Sequence, residues 1–416
     1  MSFERTRSGS TRADQTTVRH ANLGVVLQHV ARGGPRSRAR IAAETGLTRG
    51  TVSSLVAELI DLDLLRETGK DERPGRVGRP AQTLELHDRV VAVGLEVNVD
   101  YLAVCVEDLT GTVRYERRIY VDNRRSSPAP VLNRLARMAR QALDAAEGAG
   151  LLPAGIAVAL PGLVDVRTGT LLRAPNLGWS EIAVADELRV RVGPRAVRVE
   201  NEANLAALAE HWQGAARGLR SFICIFGEVG VGAGLFIDGE LFRGSHGYSG
   251  EFGHMTVDRD GALCACGSRG CLETFAGQEA IAGRAGIPVG GGGRMRSVTE
   301  ELVRRASAGD PQVVSSLDEA GQYLGIGLSA AVNLFDVDAV VLGGCFGPLS
   351  PWLEGAVRAG LDDRVLSAAW SRCELRVSEF GEGAAVRGAA ALTLRSVLAA
   401  PWTMAERREA PRRAVI

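Results

Sequence analysis

One short segment, residues 251–273, sets the strongest constraint on what this chain can fold into. It reads EFGHMTVDRDGALCACGSRGCLE, in which His254, Cys264, Cys266 and Cys271 fall as H-x9-C-x-C-x4-C. One histidine and three cysteines at this spacing are typical of a tetrahedral zinc site. Because all four positions are then protein ligands, the pattern predicts a structural zinc ion that orders a loop of low apolar content.

The same residues leave another interpretation open, in which the cysteines meet by chance or form a disulfide. Gly267 and Gly270 favour the metal site, because glycine permits the tight turns that bring ligands together. Glu251 and Glu273 flank the cluster, and we expect a bound metal to fix both carboxylates.

This segment resembles the signature of the ROK family, whose name covers repressors, open reading frames and sugar kinases. The matching elements are E-x-G-H at residues 251–254 and C-x-C-G-x-x-G-C-x-E at residues 264–273. In that family these elements carry zinc and hold a sugar. The resemblance implies an α/β chain, with an N-terminal winged helix-turn-helix followed by a two-lobed, actin-like ATPase (ribonuclease H-like) ROK domain.

Length and composition indicate the number of domains and the cellular compartment. Its 416 residues are too many for one core, so several domains are expected. No apolar run reaches the roughly eighteen residues of a membrane span, and the polar N-terminus has no apolar stretch typical of a secretory signal. Cysteines at metal spacing fit a reducing compartment. We therefore expect a cytoplasmic protein with no membrane partner.

The N-terminal region predicts a helix-turn-helix. Hydrophobic spacing from Val18 onward gives a helix, a second helix, a turn at Gly46 and a third helix that Thr48 can cap. The first residues of the third helix would enter the major groove of DNA. The predicted groove-facing positions are Arg49, Thr51, Ser53 and Ser54.

A wing is predicted after the third helix. Two short β-like runs, 64–67 and 82–86, bracket a loop whose Arg76 and Arg79 resemble a hook for the minor groove. Residues 1–90 hold 15 Lys and Arg against 11 Asp and Glu, while the remainder holds 34 against 38. A helical domain with a charged hairpin that meets no DNA is the alternative. The position ahead of a ROK body favours DNA, since ROK repressors carry a winged helix there.

The first phosphate loop departs from the kinase pattern. ROK kinases place D-x-G-G-T here, and its glycine amides cradle the phosphates of ATP. This chain reads Glu96-Val97-Asn98-Val99-Asp100, without either glycine. Val99 puts a branched side chain where phosphate needs bare backbone, and Asp100 adds negative charge. The departure predicts that the chain is not an enzyme.

The sugar half of the ROK site is present in the sequence. Residues 200–204, E-N-E-A-N, resemble the family's E-N-D-A-N element, whose aspartate acts as a base in the kinases. The resemblance implies sugar contacts from Asn176, Asn201, Glu202, Glu251, His254 and Glu273. Two alternatives stay open: Asn176 as a turn residue, and the 201–202 pair as the cap of the following helix.

These patterns divide the chain into segments. The predicted divisions are a disordered tail (1–17), the winged helix-turn-helix (18–88), ROK lobe 1 (89–200, completed by a C-terminal helix at 383–400), ROK lobe 2 with the zinc site (201–382), and a second tail (401–416).

The leading hypothesis is a sugar-responsive transcriptional regulator, a repressor of carbohydrate-metabolism genes. A homodimer or tetramer would bind operator DNA, and a small sugar between the ROK lobes would alter its affinity for the operator. One alternative is an ATP-dependent, glucokinase-like sugar kinase with an appended DNA-binding head. Another is a module that binds a protein partner, as the resemblance also implies, since one ROK relative is sequestered by a membrane transporter domain.

Overall fold

A computed structural model describes residues 15–70, 82–124, 126–289 and 294–405. Backbone contacts separate the chain into an N-terminal unit, residues 1–90 with 394–416, and a main unit, residues 91–393. Within the described ranges, no helix combines the length and the apolar character that crossing a membrane requires.

The N-terminal unit is a winged helix. Its elements are α1 (Gln15–Gly33), β1 (Arg36–Ser37), α2 (Arg38–Thr45), α3 (Arg49–Asp61), β2 (Leu65–Lys70) and β3 (Gln82–Leu86), with an antiparallel sheet in the order β1-β3-β2. Leu27, Ile41 and Leu59 are fully buried where the three helices meet. The predicted helices and wing strands are thus present, although α1 begins at Gln15, inside the segment predicted to be disordered.

Local hydrogen bonds set the turn between α2 and α3. The hydroxyl of Ser37 accepts from the amide of Arg40 at 3.4 Å, which caps α2. Gly46 ends that helix with φ of 75°, a left-handed conformation that glycine adopts without strain. The hydroxyl of Thr48 accepts from the amide of Thr51 at 3.2 Å and caps α3, as the sequence predicts.

Lobe 1 of the main unit is built on a five-stranded sheet. Its elements are β4 (Val90–Val97), β5 (Tyr101–Asp108), β6 (Val113–Tyr120), α4 (Pro128–Gly148), β7 (Leu152–Leu160), β8 (Leu163–Asp165), β9 (Thr170–Ala174), β10 (Trp179–Ile182), α5 (Val184–Val192) and β11 (Val197–Asn201). The main sheet has the order β11-β7-β4-β5-β6, and β8 to β10 form a small sheet of their own. Within the main sheet, β4, β5 and β6 form an antiparallel meander.

Lobe 2 has a second five-stranded sheet, in the order β14-β13-β12-β15-β16. Its elements are α6 (Glu202–Gln213), β12 (Phe222–Gly227), β13 (Val231–Ile237), β14 (Glu240–Leu241), α7 (Glu273–Ala276), α8 (Gln278–Arg284), α9 (Arg294–Ser307), α10 (Pro311–Phe335), β15 (Ala339–Gly344), α11 (Phe346–Arg364), β16 (Glu374–Val377) and α12 (Ala384–Ala399). Strands β12 and β15 are parallel, whereas β12 and β13 form an antiparallel hairpin. Two such lobes are the predicted α/β architecture.

Helix α12 lies directly on strand β4 of lobe 1. Gly94 makes this possible, because a Cβ atom there would overlap the carbonyl oxygen of Val386 and lie 2.9 Å from the amide nitrogen of Ala390. The last helix therefore returns to the first lobe, as the sequence predicts.

Substituting Gly94 by alanine is expected to destabilise the main unit. The new methyl group meets helix backbone that cannot rotate away, and overpacking of this kind costs about 1–3 kcal/mol. Gly355→Ala is the matched control: it lies in α11 with no neighbour within 4 Å of the added Cβ, so it should stabilise by up to about 1 kcal/mol. Urea unfolding measures both, and equal midpoints would contradict the packing described.

The start of the predicted C-terminal tail is part of the N-terminal unit. Trp402 stacks on His20 of α1, with ring centroids 4.4 Å apart. Gly24 of α1 lies so close to the last turn of α12 that a Cβ there would be 2.7 Å from the carbonyl oxygen of Ala399. Residues 401–405 are therefore packed and are not part of a tail. The sequence did not predict this contact, because the basic residues that follow Trp402 are typical of a tail.

Candidate functional site

The four predicted metal ligands converge on one point in lobe 2. The ligand atoms of His254, Cys264, Cys266 and Cys271 all lie within 4.8 Å of one another. The sulfurs of Cys266 and Cys271 are 3.7 Å apart, and Nδ1 of His254 is 3.7 Å from the sulfur of Cys264. A tetrahedral ion with metal–sulfur bonds of about 2.3 Å has edges of about 3.8 Å. All four side chains thus fit a metal ion, and the cysteines are free thiols, which removes the disulfide alternative.

Backbone geometry shapes this cluster. The amide of Cys266 donates to the sulfur of Cys264, and the amide of Ser268 donates to the sulfur of Cys266, both at 3.4 Å. The Ser268 amide lowers the pKa of Cys266, which favours the thiolate that a metal needs. Gly267 and Gly270 have φ of 99° and 64°, so the turns predicted from the sequence do require glycine.

Two carboxylates, those of Glu251 and Glu273, lie next to this cluster. Nδ1 of His254 faces the sulfurs, which leaves Nε2 on the other side, 3.8 Å from the carboxylate of Glu251. Glu273 accepts a hydrogen bond from the thiol of Cys264 at 2.9 Å. A metal ion here would therefore orient both carboxylates through its ligands.

All six residues predicted to contact sugar line a single cavity of about 260 Å³ in the main unit, between the two lobes. They are Asn176, Asn201, Glu202, Glu251, His254 and Glu273. Elements far apart in sequence supply them, including the turn before β10, the start of α6, the loop after β14 and the start of α7. The structure brings together every sugar-contact candidate, and it also places Arg173 and Glu228 on the wall.

Asn201 caps a helix in addition to lining the cavity. Its side-chain oxygen accepts from the amides of Ala203 at 2.8 Å and Asn204 at 3.1 Å, which caps α6. Its amide nitrogen donates to the carbonyl oxygen of Gly162 at 3.0 Å. The helix cap that the sequence left open is therefore the observed one. These bonds use the side-chain oxygen and one of the two N–H groups, so a sugar contact by Asn201 stays a prediction that would use its second N–H.

Two of the cavity carboxyl groups, those of Glu202 and Glu251, have raised pKa values. Burial, reinforced by Glu228 and Glu96, raises the pKa of Glu202 well above its usual range. One oxygen of Glu202 is buried with no hydrogen-bond partner in the described part of the chain. Burial also raises the pKa of Glu251, while His254 opposes that shift. The unpartnered oxygen of Glu202 on the wall of this small cavity is an acceptor that a polyol could satisfy.

Sequence reasoning missed Glu228. It stands in the glycine loop GEVGVGAG, residues 227–234, and accepts hydrogen bonds from the side-chain amide of Asn98 and, at 3.1 Å, from the hydroxyl of Tyr101. The same hydroxyl is 2.7 Å from Glu96. Burial raises the pKa of Glu96 to about 7, and burial together with the charge of Glu96 raises the pKa of Glu228 to about 8. A lone charged residue in a loop of glycine and valine was the signal that could have found it.

The raised pKa values of Glu96 and Glu228 predict that stability falls as pH rises. Both exceed the ordinary value of about 4.3, so the folded chain holds protons that the unfolded chain has released. Their contribution is complete below about pH 4.5 and is lost as pH rises through the folded pKa values of about 7 and 8. Glu228→Gln should therefore reduce the fall in Tm between about pH 5 and 9, by a few degrees.

Glu374→Gln, an exposed substitution on β16, is the control for this pH profile and should leave it unchanged. Differential scanning calorimetry across this pH range measures the three profiles. A fall in Tm that is as steep in Glu228→Gln as in the parent chain would refute the assignment.

The start of α3 carries the predicted DNA contacts. Arg49 and Ser53 are exposed, whereas Thr51 is half-buried with its hydroxyl 2.9 Å from that of Thr48. Ser54 is exposed too, but its hydroxyl accepts from the guanidinium of Arg19 on α1 at 3.4 Å. Arg49 and Ser53 are thus the most available for bases. The two wing arginines, Arg76 and Arg79, lie outside the described residues.

Comparison with known proteins decides the family. The sequence profile of the ROK family matches residues 92–396. The chain belongs to the ROK family. A MarR family profile matches residues 25–76, so this ROK chain carries a MarR-type winged helix-turn-helix ahead of its ROK domain.

Some known transcriptional regulators are similar to this chain over almost the whole length of both proteins. The xylose repressor of Bacillus subtilis (strain 168) is 30% identical over 383 residues, which cover 92% of this ROK chain and 97% of the repressor. The DNA-binding transcriptional dual regulator NagC of Escherichia coli (strain K12) is 27% identical over 389 residues, 92% of this chain and 94% of NagC.

Solved structures of a ROK regulator and of a ROK kinase are both similar to this chain, over different shares of its length. A ROK family transcriptional regulator, a homologue of the E. coli MLC protein, superposes with a TM-score of 0.76 at 27% identity and covers 93% of this chain and 98% of its own. A ROK family glucokinase from Streptomyces griseus, in complex with glucose and AMPPNP, gives a TM-score of 0.62 at 28% identity. That kinase is covered to 98% but covers 73% of this chain, so the regulators share a longer part of it.

Proposed function

We propose that this ROK protein is a sugar-responsive transcriptional repressor of carbohydrate-metabolism genes. The observation that carries the proposal is the cavity of about 260 Å³ on which Glu202, Glu251 and Glu273 converge, in a chain that also bears a winged helix. Carboxylates orient polyols by accepting hydrogen bonds from their hydroxyl groups. The volume and the names of the relatives, a xylose repressor and an N-acetylglucosamine repressor, support a monosaccharide or small glycoside.

The loop at residues 96–100 supports a regulator over a sugar kinase. Bonds within the protein occupy this loop: the side chain of Asn98 accepts from the amide of Asp100 at 3.2 Å and donates to Glu228 of lobe 2, and Asn123 donates to the backbone carbonyl oxygen of Asn98 at 2.7 Å. The side chain of Val99 is buried against the lobe 1 core. Glu228 also places an acidic side chain, and no basic one, on the glycine loop at residues 227–234, so neither loop offers positive charge to a triphosphate.

We further propose that the metal at the cysteine cluster is a structural zinc ion. Three thiolates and one imidazole are a common zinc ligand set, and no position is left for substrate. When bound, zinc would order residues 254–271 and fix the side chains that lie next to it. His254 would keep Nε2 toward the cavity, and Glu251 and Glu273 would be held where a sugar can reach them.

For DNA, we propose that two copies of the winged helix in a homodimer or tetramer read an operator of two-fold symmetry. Arg49 and Ser53 would contact bases at the start of α3. Sugar binding between the lobes would then alter operator affinity, and regulation of this kind requires about 1–3 kcal/mol of coupling between the two sites.

Thermal-shift screening against a panel of monosaccharides and sugar phosphates tests the proposal. We expect at least one sugar to raise the Tm of the purified chain, and the same sugar to change the affinity for operator DNA. A coupled assay for ADP release, run with each stabilising sugar and ATP, tests the kinase alternative. Turnover of any sugar in that assay, or the absence of any stabilising sugar, would overturn the proposal.

A further inference from the structure

A second and larger cavity, of about 590 Å³, lies in the main unit beside the sugar cavity. Residues of both lobes line it, and its walls include the aromatic rings of Tyr101, Tyr120 and Phe380 and the side chain of Val303 on α9. Glu228 lines both cavities and separates one from the other. The volume suits an organic molecule and is far larger than a metal ion.

Carboxylates outnumber arginines around this second cavity. The acidic residues that line it are Asp100, Glu116, Glu228, Glu300 and Glu382, and the basic ones are Arg118, Arg296 and Arg304. Each arginine already has a carboxylate partner: Arg118 with Glu382 at 2.7 Å, Arg296 with Glu300 at 3.0 Å, and Arg304 with Glu301 at 2.6 Å. Among the described residues, the cavity therefore offers no uncommitted guanidinium to a phosphate.

Glu228 has no such partner. Its hydrogen bonds come from two neutral groups, Asn98 and Tyr101, and no cation pairs with it among the described residues. Glu96 lies behind the same tyrosine, fully buried, 2.7 Å from its hydroxyl. Arg118 lies over the ring of Tyr101, 4.6 Å from its centre, but directs its hydrogen bonds to Glu382. The site beside Glu228 therefore has room for one positive charge.

We propose that the second cavity is a ligand site for an organic cation, a primary amine with an aromatic or aliphatic body. The ammonium group would donate to Glu228, and the body would pack against Tyr101, Tyr120 and Phe380. Nucleotides are disfavoured because the arginines that line the cavity are already paired with carboxylates, which leaves little positive charge for phosphates.

Binding of the amine should release a proton. The titratable groups whose charges influence or are influenced by Glu228 are Glu96, Tyr101, Glu202, Cys345 and Glu382. Without a ligand, burial and the charge of Glu96 raise the pKa of Glu228 to about 8, so at pH 7 the carboxyl is mostly protonated. An adjacent ammonium favours the ionised form, and the proton leaves to the buffer.

Isothermal titration calorimetry on the full chain tests this site without sugar or operator, so its outcome is independent of the proposed function. The probes are tryptamine, tyramine and putrescine, with tryptophol as the uncharged counterpart of tryptamine. We expect at least one amine to bind, and a binding enthalpy that differs between phosphate and Tris buffers at pH 7 because a proton is released. Tryptophol should bind about 10–100-fold more weakly than tryptamine, the range for a charge-assisted hydrogen bond. No binding by any amine, or equal binding by tryptophol, overturns the proposal.

Two variants locate the binding. Glu228→Gln should lose the amine and the buffer dependence, while keeping a cooperative thermal transition. Val303→Trp fills the second cavity from α9 and does not line the sugar cavity, so it should lose the amine and keep any sugar response. Glu374→Gln is the exposed control and should bind the amine as the parent does. Amine binding that survives both cavity variants would overturn the assignment.

Discussion

We expect that replacing Cys271 by serine will prevent metal binding at the proposed zinc site and abolish the proposed response to sugar. Cys271 is fully buried, and its sulfur is 3.7 Å from that of Cys266, so a hydroxyl in its place cannot complete the ligand set. Without the metal, His254 and Glu273 lose the neighbour that orients them. Mutating the residues that hydrogen-bond to metal ligands commonly reduces metal affinity or activity by about 10–100-fold. Removing a ligand itself should reduce the affinity for sugar by at least as much.

Cys373→Ser is the matched control for this experiment, since Cys373 lies on the approach to β16, outside the cluster. Metal analysis by atomic emission should give about one zinc per chain for the parent and for Cys373→Ser, and close to none for Cys271→Ser. The Cys271→Ser chain should still bind operator DNA, with an affinity that sugar no longer changes. A variant that retains zinc, or one that responds to sugar without metal, would contradict a structural role.

Arg49→Ala will weaken operator binding by about 1–3 kcal/mol for each half-site, or about 5–150-fold. Arg49 is exposed in the first turn of α3, where the cap by Thr48 fixes the helix start. An arginine at that position can donate two hydrogen bonds to a guanine edge. The reduction in affinity should therefore fall on the operator, while affinity for unrelated DNA changes little.

Fluorescence anisotropy with operator and scrambled duplexes at fixed salt separates the two outcomes. Arg167→Ala, an 88% exposed arginine of the main unit, removes the same charge and should leave both affinities unchanged. An equal reduction on both duplexes, with a salt slope reduced by about one, would reassign Arg49 from a base contact to a phosphate contact. Unchanged affinity for both duplexes would place the DNA surface elsewhere.

Local patterns made much of this molecule predictable. The metal ligands fall within eighteen residues, so their spacing alone predicts a cluster that the structure then closes to within 4.8 Å. The caps at Ser37 and Thr48 and the turn at Gly46 are likewise short-range features, which fix the helix-turn-helix before any tertiary contact forms. The sugar-contact candidates came from the resemblance, and the structure gathers all of them around one cavity.

Long-range contacts account for what the sequence did not predict. The bonds from Asn98 and Tyr101 to Glu228 join residues 130 and 127 positions apart, and no local rule places a carboxylate among them. The stacking of Trp402 on His20 is equally non-local, and it packs residues at the start of the segment that was expected to be a tail. Asn201 was ambiguous for a different reason, because the same side chain suits a helix cap and a sugar hydroxyl.

Operator affinity measured with and without the effector sugar tests the central claim most directly. The claim is that a polyol in the cavity of Glu202, Glu251 and Glu273 controls a winged helix in the same chain. Anisotropy titrations of operator DNA, with the sugar at a saturating concentration, should differ by about 5–150-fold from those without it, and Glu251→Gln should reduce that difference. Identical operator affinities in the two titrations, for a sugar shown by calorimetry to occupy the chain, would contradict the account.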